Sequence, residues 1–211
     1  MIPEGAILQT SDQWIPARRG NVTTSRQADV AAKLKSGAWA KAATDYAIEL
    51  VAERACDYAV ERAVTPPMLR GLELEPVARA AYEARTGELV DPAALVPHRG
   101  IPEWLSTPDG WIGADGLLEI KCPLVTTFVR WSAEGVVPEQ HVPQLTGQQC
   151  VTGREWTDFV AYCPEMPEGR RLFVRRFVAT QEQRDAVTQV TVEFLEMVDS
   201  LFIKFTHNLE A

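Results

Sequence analysis

No two cysteines in the sequence form a C-x-x-C pair, although the chain of 211 residues contains four cysteines. Zinc sites and iron-sulfur clusters draw their ligands from such short spacings, so the sequence predicts neither kind of site. We expect reduced and mostly buried thiols that pack as small apolar side chains. They are Cys56, Cys122, Cys150 and Cys163.

Long apolar stretches are missing as well. No run of 18 apolar residues occurs, and the first residues lack the basic, apolar and small-residue order of a secretion leader. A membrane span and a secreted protein are therefore not expected. The sequence favours a cytoplasmic protein.

Positive charge is also scarce, because the sequence has 21 basic and 29 acidic residues and a net charge of −8. Binding to DNA normally requires a basic face. Either the positive charge is concentrated in a channel or the partner is not DNA. The length and the 46% hydrophobic content predict one globular domain over residues 1–211 with a substantial core.

The segment 107–123, TPDGWIGADGLLEIKCP, carries the most chemical information. Asp115 and Gly116 form a strong hairpin signal between apolar residues on both sides. Because side chains alternate along a strand, Glu119 and Lys121 are predicted to share one face.

The other face of this strand, with Leu118 and Ile120, is expected to point into the core. A strict two-residue turn would pair Asp109 with Cys122 and direct Asp109 to the wrong face. We therefore predict a bulge or a wider loop near Gly113–Gly116.

Two carboxylates brought together repel each other unless a cation lies between them. Mg²⁺ takes one or two protein carboxylates and completes its shell with water and phosphate oxygens. Asp109 and Glu119 suit this role, with the main-chain carbonyl of Ile120 as a further ligand. Lys121 could then stabilise charge on a phosphate. On spacing alone, an ordinary hairpin with exposed Glu119 and Lys121 remains an equal alternative.

The residues PD at 108–109 and EIKCP at 119–123 resemble the core motif of lambda-type phage exonucleases. These belong to the restriction-endonuclease-like PD-(D/E)XK superfamily and overlap with the YqaJ-type viral recombinases. The resemblance implies an α/β fold with a twisted, mixed central sheet of about five strands flanked by helices. It also implies catalysis by Asp109, Glu119 and Lys121 with two Mg²⁺ ions, which Mn²⁺ could replace.

The segment WIPARRGNVTTS at residues 14–25 resembles the first motif of the same family, in which an arginine and a serine bind a terminal 5′ phosphate of DNA. Arg18 and Ser25 match those positions, and Arg19 is the alternative if the loop is shifted by one residue. Ser25 also begins a predicted helix, residues 25–35, whose amino end would attract an anion. A plain helix cap with a surface arginine is the competing interpretation. Thr107 matches a further family hydroxyl near this phosphate.

Two predicted helices carry the remaining matches. Glu75 corresponds to a family glutamate above the metals, although Pro76 directly after it departs from the family pattern. Gln144 aligns with the family glutamine that reaches the DNA end, and Gln148 shares its helix face. Gln148 and His141 are further candidates for DNA contacts. Solvated glutamate and glutamine side chains are the alternative.

The pattern of apolar residues predicts five helices and an antiparallel hairpin. It also predicts an edge strand and loop over residues 89–100, and Gly87 as the residue that ends the second long helix. The predicted helices cover residues 41–61, 66–86, 126–135, 138–153 and 180–206, and the hairpin strands cover 156–163 and 171–178.

The family resemblance implies an enzyme that degrades one strand of linear double-stranded DNA from the 5′ end and leaves 3′ overhangs. It further implies a ring of three subunits, a single-strand annealing protein as partner, and a bacterial host cell with a phage or prophage origin. Three alternatives remain open: a superfamily nuclease with endonuclease action or opposite polarity, a catalytically silent DNA-end binder and, ranked far lower, a two-carboxylate glycosidase.

Overall fold

The computed structural model describes residues 2–9, 11–56, 60 and 65–210. Its strands are β1 (Ile7–Leu8), β2 (Val22–Thr23), β3 (Val90–Asp91), β4 (Ala94–His98), β5 (Ile101–Ser106), β6 (Gly110–Ile112), β7 (Gly116–Lys121), β8 (Trp156–Tyr162) and β9 (Leu172–Phe177). Its α-helices are α1 (Trp14–Arg18), α2 (Gln27–Val30), α3 (Lys41–Ala55), α4 (Pro66–Thr86), α5 (Val125–Glu134), α6 (Val142–Thr152) and α7 (Gln181–Glu210).

A five-stranded mixed sheet with the order β3-β6-β7-β8-β9 forms the centre of the fold. The central strand β7 is antiparallel to β6 and parallel to β8, and β8 and β9 form the predicted antiparallel hairpin. The mixed α/β class and the central sheet of five strands are confirmed. A second sheet with the order β1-β4-β5-β2 was not predicted.

Helices cover both faces of the central sheet because its strands carry apolar residues on both sides. Helix α4 packs through Ala78 and Tyr82 against Leu118 and Ile120 on one face. Helices α3 and α7 pack around Leu117 on the opposite face, and α5 and α6 extend that layer over β8. A polar side chain on β7 therefore has little access to solvent unless a cavity opens beside it.

Several predicted elements match the structure. Helix α4 ends at Thr86, and Gly87 follows it with a φ of 76°, as expected for a left-handed C′ residue. Helices α5, α6 and α7 lie close to their predicted bounds, although a 3₁₀ turn, Glu139–His141, precedes α6. None of the helices in the described ranges has the length and apolar character needed to cross a membrane.

Other elements differ from their predictions. The helix predicted over residues 25–35 is only a 3₁₀ turn, Thr24–Arg26, followed by the four residues of α2. Long-range contacts override the local pattern here, since Lys33 pairs with Glu193 and its ammonium lies over the Trp39 ring. The predicted edge strand and loop over 89–100 are instead β3 and β4, which belong to different sheets.

The helix predicted over residues 41–61 ends at Ala55, because Ala55 is exposed and Cys56 has an extended backbone. Residues 57–59 and 61 of that prediction lie outside the described residues. All four cysteines are free thiols. Cys163 is buried and Cys122 and Cys150 are half-buried, whereas the expectation of burial is wrong for Cys56.

Candidate active site

The hairpin of β6 and β7 brings the two predicted acids together. Gly110 pairs with Leu118 and Ile112 pairs with Gly116, so a three-residue loop, 113–115, joins the strands. Gly113 has a φ of 52°, a left-handed conformation that favours glycine. Continuing this register places Asp109 opposite Glu119, on the same face of the sheet. The predicted wider loop is confirmed.

Asp109 is held by the backbone of the neighbouring strand. The Ile120 N–H donates to Asp109 Oδ2 at 2.7 Å. Burial raises the pKa of Asp109 well above its usual range, and the negative charge of Glu119 raises it further. The hydrogen bond from Ile120 and the ammonium of Lys121 oppose this rise only in part. The acid pair is therefore an electrostatically unfavourable arrangement that a cation would relieve.

Glu119 is 2% exposed and accepts hydrogen bonds on both carboxylate oxygens. Lys121 Nζ and Gln144 Nε2 donate to Oε1 at 2.5 and 2.6 Å. Gln148 Nε2 donates to Oε2 at 2.6 Å. Three donors thus stabilise a carboxylate on the central strand of the sheet.

Lys121 keeps its positive charge in this environment. Burial lowers the pKa of Lys121, but the carboxylates of Glu119 and Asp109 outweigh burial, and the pKa is raised overall. An ammonium group with a raised pKa stays protonated at neutral pH. Lys121 is therefore suited to stabilise negative charge and unsuited to accept a proton.

A cavity of about 200 Å³ opens beside these side chains. It is lined by seven of the residues singled out from the sequence, which come from five separate parts of the chain. These are Arg18, Ser25, Thr107, Asp109, Glu119, Lys121 and Gln144, and the remaining lining residues are Gln9, Trp14, Thr23 and Thr24. Two basic side chains, Arg18 and Lys121, thus balance two carboxylates in one concave site.

The wall of this cavity near Arg18 is rich in hydroxyl groups. The Arg18 guanidinium lies 4.3 Å from the centre of the Trp14 ring, and Ser25 Oγ and Thr23 Oγ1 are 3.1 Å apart. Ser25 lies inside the 3₁₀ turn Thr24–Arg26 and only the four residues of α2 follow it, so the long helix that was expected to begin at Ser25 is not formed. Anion binding at this wall would rest on Arg18 and the hydroxyl groups.

Arg19 lines a neighbouring cavity of about 280 Å³, which shares Trp14 and Arg18 with the first. Glu75 lines a third cavity, of about 360 Å³. There Arg79 Nη2 donates to Glu75 Oε1 at 2.7 Å and to the main-chain oxygen of Asp109 at 2.8 Å. Arg79 therefore links Glu75 to the acid pair from the α4 side.

Gln148 and His141 do not line the 200 Å³ cavity. Gln148 is fully buried behind Glu119. His141 packs against Trp131 and Phe159, with ring centroids 5.2 Å away in both cases. Burial and the positive charge of Lys121 together lower the pKa of His141 to about 4. His141 is therefore neutral at pH 7 and packs as an aromatic side chain.

Replacing His141 with glutamine should change how stability depends on pH. In the unfolded chain His141 binds a proton below about pH 6.5, but in the folded chain only below about pH 4. Protonation thus favours the unfolded chain, and stability is lost as the pH falls through this window. We expect the wild type to lose about 2–3 kcal/mol relative to His141→Gln between pH 7 and pH 4.

Urea unfolding at both pH values measures this difference. His207→Gln, at an exposed position near the end of α7, is the control and should behave like the wild type. An equal pH response in wild type and His141→Gln would contradict the prediction.

The residues present fit a divalent metal that takes few protein ligands. Within the described ranges, no group of three His, Cys, Asp or Glu side chains could hold a metal ion. Asp109 and Glu119 form a pair, and Mg²⁺ needs only one or two carboxylates when water and phosphate oxygens complete its shell. Burial and the repulsion from Glu119, which together raise the pKa of Asp109, supply the reason for a cation at this place.

Three solved structures that share this fold are described as exonucleases. The alkaline exonuclease LHK-Exo from Laribacter hongkongensis is 32% identical in sequence, with a TM-score of 0.85 over 95% of this chain and 98% of that chain. Its complex with dAMP has the same identity and coverage and a TM-score of 0.87. A phage-related exonuclease from Haemophilus somnus 129PT shares the fold at 12% identity, with a TM-score of 0.69 over 88% of this chain and 96% of that chain. The fold and the 32% identity to LHK-Exo define an α/β protein of the exonuclease class.

The chain belongs to the YqaJ-like viral recombinase family, whose domain model matches residues 13–155. The matched segment contains Arg18, Glu75, the acid pair and Gln144. No curated protein sequence matches the chain at a significant level.

Sequence reasoning missed two residues beside the site. Arg79 follows Glu75 by four residues on α4, a spacing that typically allows an ion pair and could have indicated the contact. Trp14 lines two cavities and its ring contacts the Arg18 guanidinium. The only sequence signal for this contact is the spacing of four residues between Trp14 and Arg18.

Proposed function

We propose that this protein is a Mg²⁺-dependent exonuclease that degrades one strand of linear double-stranded DNA in the 5′ to 3′ direction. It would release mononucleotides and leave 3′ single-stranded overhangs for recombination by strand annealing. Family membership and the match to alkaline exonuclease structures support a nuclease of this family. The polarity is inferred from the resemblance to lambda-type exonucleases, and the metal from that resemblance and from the paired carboxylates Asp109 and Glu119.

One observation carries the proposal, namely that a single cavity is lined both by the acid pair with Lys121 and by Arg18 with its neighbouring hydroxyl groups. A guanidinium and hydroxyl groups suit a terminal phosphate. A phosphate held there by Arg18, Ser25, Thr107 and Gln144 would bring the adjacent phosphodiester bond toward the acids. Recognition of the end and cleavage would then take place in the same cavity.

Asp109 and Glu119 would hold Mg²⁺, with the Ile120 carbonyl and Glu75 as further candidate ligands. When bound, the metal would activate water and stabilise charge on phosphate oxygens. Lys121 would stabilise the negative charge that grows on the scissile phosphate. Gln144 can donate to a phosphate without adding charge beside the acids.

A time course on duplex DNA labelled at one 5′ end or at one 3′ end, with Mg²⁺ present or chelated, tests the proposal. We expect Mg²⁺-dependent release of the 5′ label as a mononucleotide, while the 3′ label stays in long single strands. Cutting of a closed circular duplex would indicate an endonuclease, and early release of the 3′ label would indicate the opposite polarity.

Arg18 should determine the preference for phosphorylated ends. Arg18→Ala is expected to reduce cleavage of 5′-phosphorylated duplex and to leave the slower cleavage of 5′-hydroxyl duplex nearly unchanged. A charged, bidentate contact contributes about 1.5–3 kcal/mol, so the ratio of the two rates should fall about 10- to 100-fold. Initial rates on the two substrates measure this ratio.

Arg19→Ala is the matched control, because Arg19 lines the 280 Å³ cavity and not the cavity of the acid pair. It should leave the ratio within about twofold of the wild type. If only Arg19→Ala lost the preference for 5′-phosphorylated duplex, the phosphate contact would be assigned to Arg19 and not to Arg18.

A catalytically silent DNA-end binder is the second candidate. The observation that favours it is that both oxygens of Glu119 already accept hydrogen bonds from Lys121, Gln144 and Gln148. Titration with Mg²⁺ or Mn²⁺ in a calorimeter distinguishes the two candidates. A silent binder would give no heat that depends on Asp109 and Glu119.

A homotrimeric ring around the duplex is part of the proposal, because a channel could concentrate positive charge in a chain whose net charge is −8. A single-strand annealing protein is the proposed partner. The bacterial cytoplasm and a phage or prophage origin are the proposed setting, and the description of the family as viral recombinases supports them. Light scattering during gel filtration tests the ring, since a trimer has three times the 23.4 kDa mass of one chain.

A further inference from the structure

Gln148 contacts Glu119 from behind the cavity. It lies on α6, is fully buried, and donates its Nε2–H to Glu119 Oε2 at 2.6 Å. Gln144, one turn earlier on the same helix, donates to the other oxygen, Oε1, at 2.6 Å. Of these two amides only Gln144 lines the 200 Å³ cavity.

The amide of Gln148 is costly for the stability of the fold. Its Oε1 is buried and accepts no hydrogen bond from the part of the chain that the structure describes. A buried acceptor without a partner costs about 1–3 kcal/mol, a cost that an apolar side chain of similar size would not have. Core stability therefore does not explain a glutamine at this position, whereas its contact with Glu119 does.

Helix α6 holds this amide in a fixed place. The neighbouring Gln149 bonds to Thr157 on β8, to the backbone of Phe177 and Ala179, and to Arg184 on α7. On the opposite side of the helix, a Cβ at position 147 would lie 3.1 Å from Gln27 Oε1, so glycine allows the close approach. The neighbours of Gln148 on both sides are therefore held by packing and hydrogen bonds, which fixes the position of the Gln148 backbone.

We propose that Gln148 is a positioning residue that fixes Glu119 Oε2 and so leaves Oε1 as the oxygen that faces the cavity. The inference rests on the proposed function, because it assigns Oε1 as the atom that binds the divalent cation. Lys121 and Gln144 contact Oε1 from the cavity side and can give up these contacts when the cation binds. Gln148 keeps its hydrogen bond to Oε2 when the cation is bound. The sequence suggested a contact between Gln148 and DNA, and full burial argues against it.

The variant Gln148→Met tests this role, because it keeps the size of the side chain and removes the donor. We expect the dissociation constant of Mn²⁺, measured by calorimetry on the full chain, to rise about 10- to 100-fold. Affinity for a duplex end, measured by fluorescence anisotropy with the metal chelated, should change less than twofold. Gln140→Met, an exposed glutamine before the same helix, is the matched control and should match the wild type in both measurements.

The outcomes separate the hypotheses. Unchanged Mn²⁺ binding in Gln148→Met would overturn the positioning role, and weaker binding to the DNA end with unchanged Mn²⁺ binding would restore a DNA contact. A wild type that binds no Mn²⁺ would overturn the proposed function, and the inference would fail with it. Weaker binding of both Mn²⁺ and DNA would indicate general damage to the site and would also count against the inference.

A measurement without any substitution covers the case in which Gln148→Met does not fold. In ¹⁵N-labelled wild type, the side-chain amide protons of Gln148 should exchange slowly with solvent, with or without Mg²⁺. Those of the exposed Gln140 should exchange fast, and those of Gln144 should shift on addition of Mg²⁺. Fast exchange at Gln148, or loss of its protection when Mg²⁺ is added, would overturn the proposal.

Discussion

Replacing Lys121 with alanine is expected to lower the rate of duplex cleavage by about 10²- to 10³-fold, the usual effect of removing one preorganised charge or donor from an active site. Glu119 would keep its bonds to Gln144 and Gln148, so the carboxylate should stay in place. The affinity for DNA ends should change little. Single-turnover cleavage with excess enzyme measures the rate, and anisotropy with chelated metal measures binding.

Lys204→Ala is the control, because Lys204 is exposed on α7 and does not line the cavity. It should cleave like the wild type. Substantial cleavage by Lys121→Ala would show that Lys121 is not needed for catalysis. Equal losses of cleavage and of DNA binding would show that Lys121 acts by contacting DNA.

Among the substitutions proposed for this protein, Asp158→Ala should cause the largest decrease in the free energy of unfolding. Asp158 lies on β8, is 4% exposed, and accepts two hydrogen bonds from Arg176 at 2.9 Å and one from Tyr82 at 2.7 Å. Removing one partner of a buried ion pair typically costs about 3–5 kcal/mol, because the other partner is left without compensation. The half-exposed guanidinium of Arg176 can recover some hydration, which places the expected loss near the lower value. Urea unfolding measures the change in the free energy of unfolding.

Glu193→Ala removes a single-contact ion pair on the surface, since Lys33 Nζ lies 2.6 Å from Glu193 Oε2 with both side chains more than one third exposed. Exposed pairs contribute about 0–1 kcal/mol, so this variant should unfold almost like the wild type. Equal losses in the two variants would contradict the role assigned to the burial of Asp158.

The centre of the fold could be predicted because local chemistry determines it. Residues 118–121 alternate between apolar and charged side chains, which indicates the strand that carries Glu119 and Lys121. Pro66 and Gly87 mark the two ends of α4. The need to place Asp109 and Glu119 on one face was sufficient to predict a loop wider than two residues. The family resemblance singled out Arg18 and Ser25, which are far from the hairpin in the sequence and line the same cavity as the acid pair.

The second sheet could not be predicted, because its two edge strands, β1 and β2, have two residues each and are too short to show a period. Their pairing depends on contacts between distant parts of the chain, such as that of Val22 with Trp104. The contact of Gln148 with Glu119 was hidden for a related reason. Spacing places Gln144 and Gln148 on one face of α6 but does not reveal which oxygen each amide reaches.

Ile112 and Gly116 form the last pair before the hairpin loop. Asp109 lies three residues before Ile112, and Glu119 lies three residues after Gly116. Deleting one residue from a single arm would displace one acid by one position and turn its side chain to the opposite face of the sheet, toward α4. Extra residues at the exposed tip, Ala114, would leave both arms intact. The tip is therefore the place in this hairpin where a peptide tag or fluorophore can be inserted while the spacing of the carboxylates is preserved.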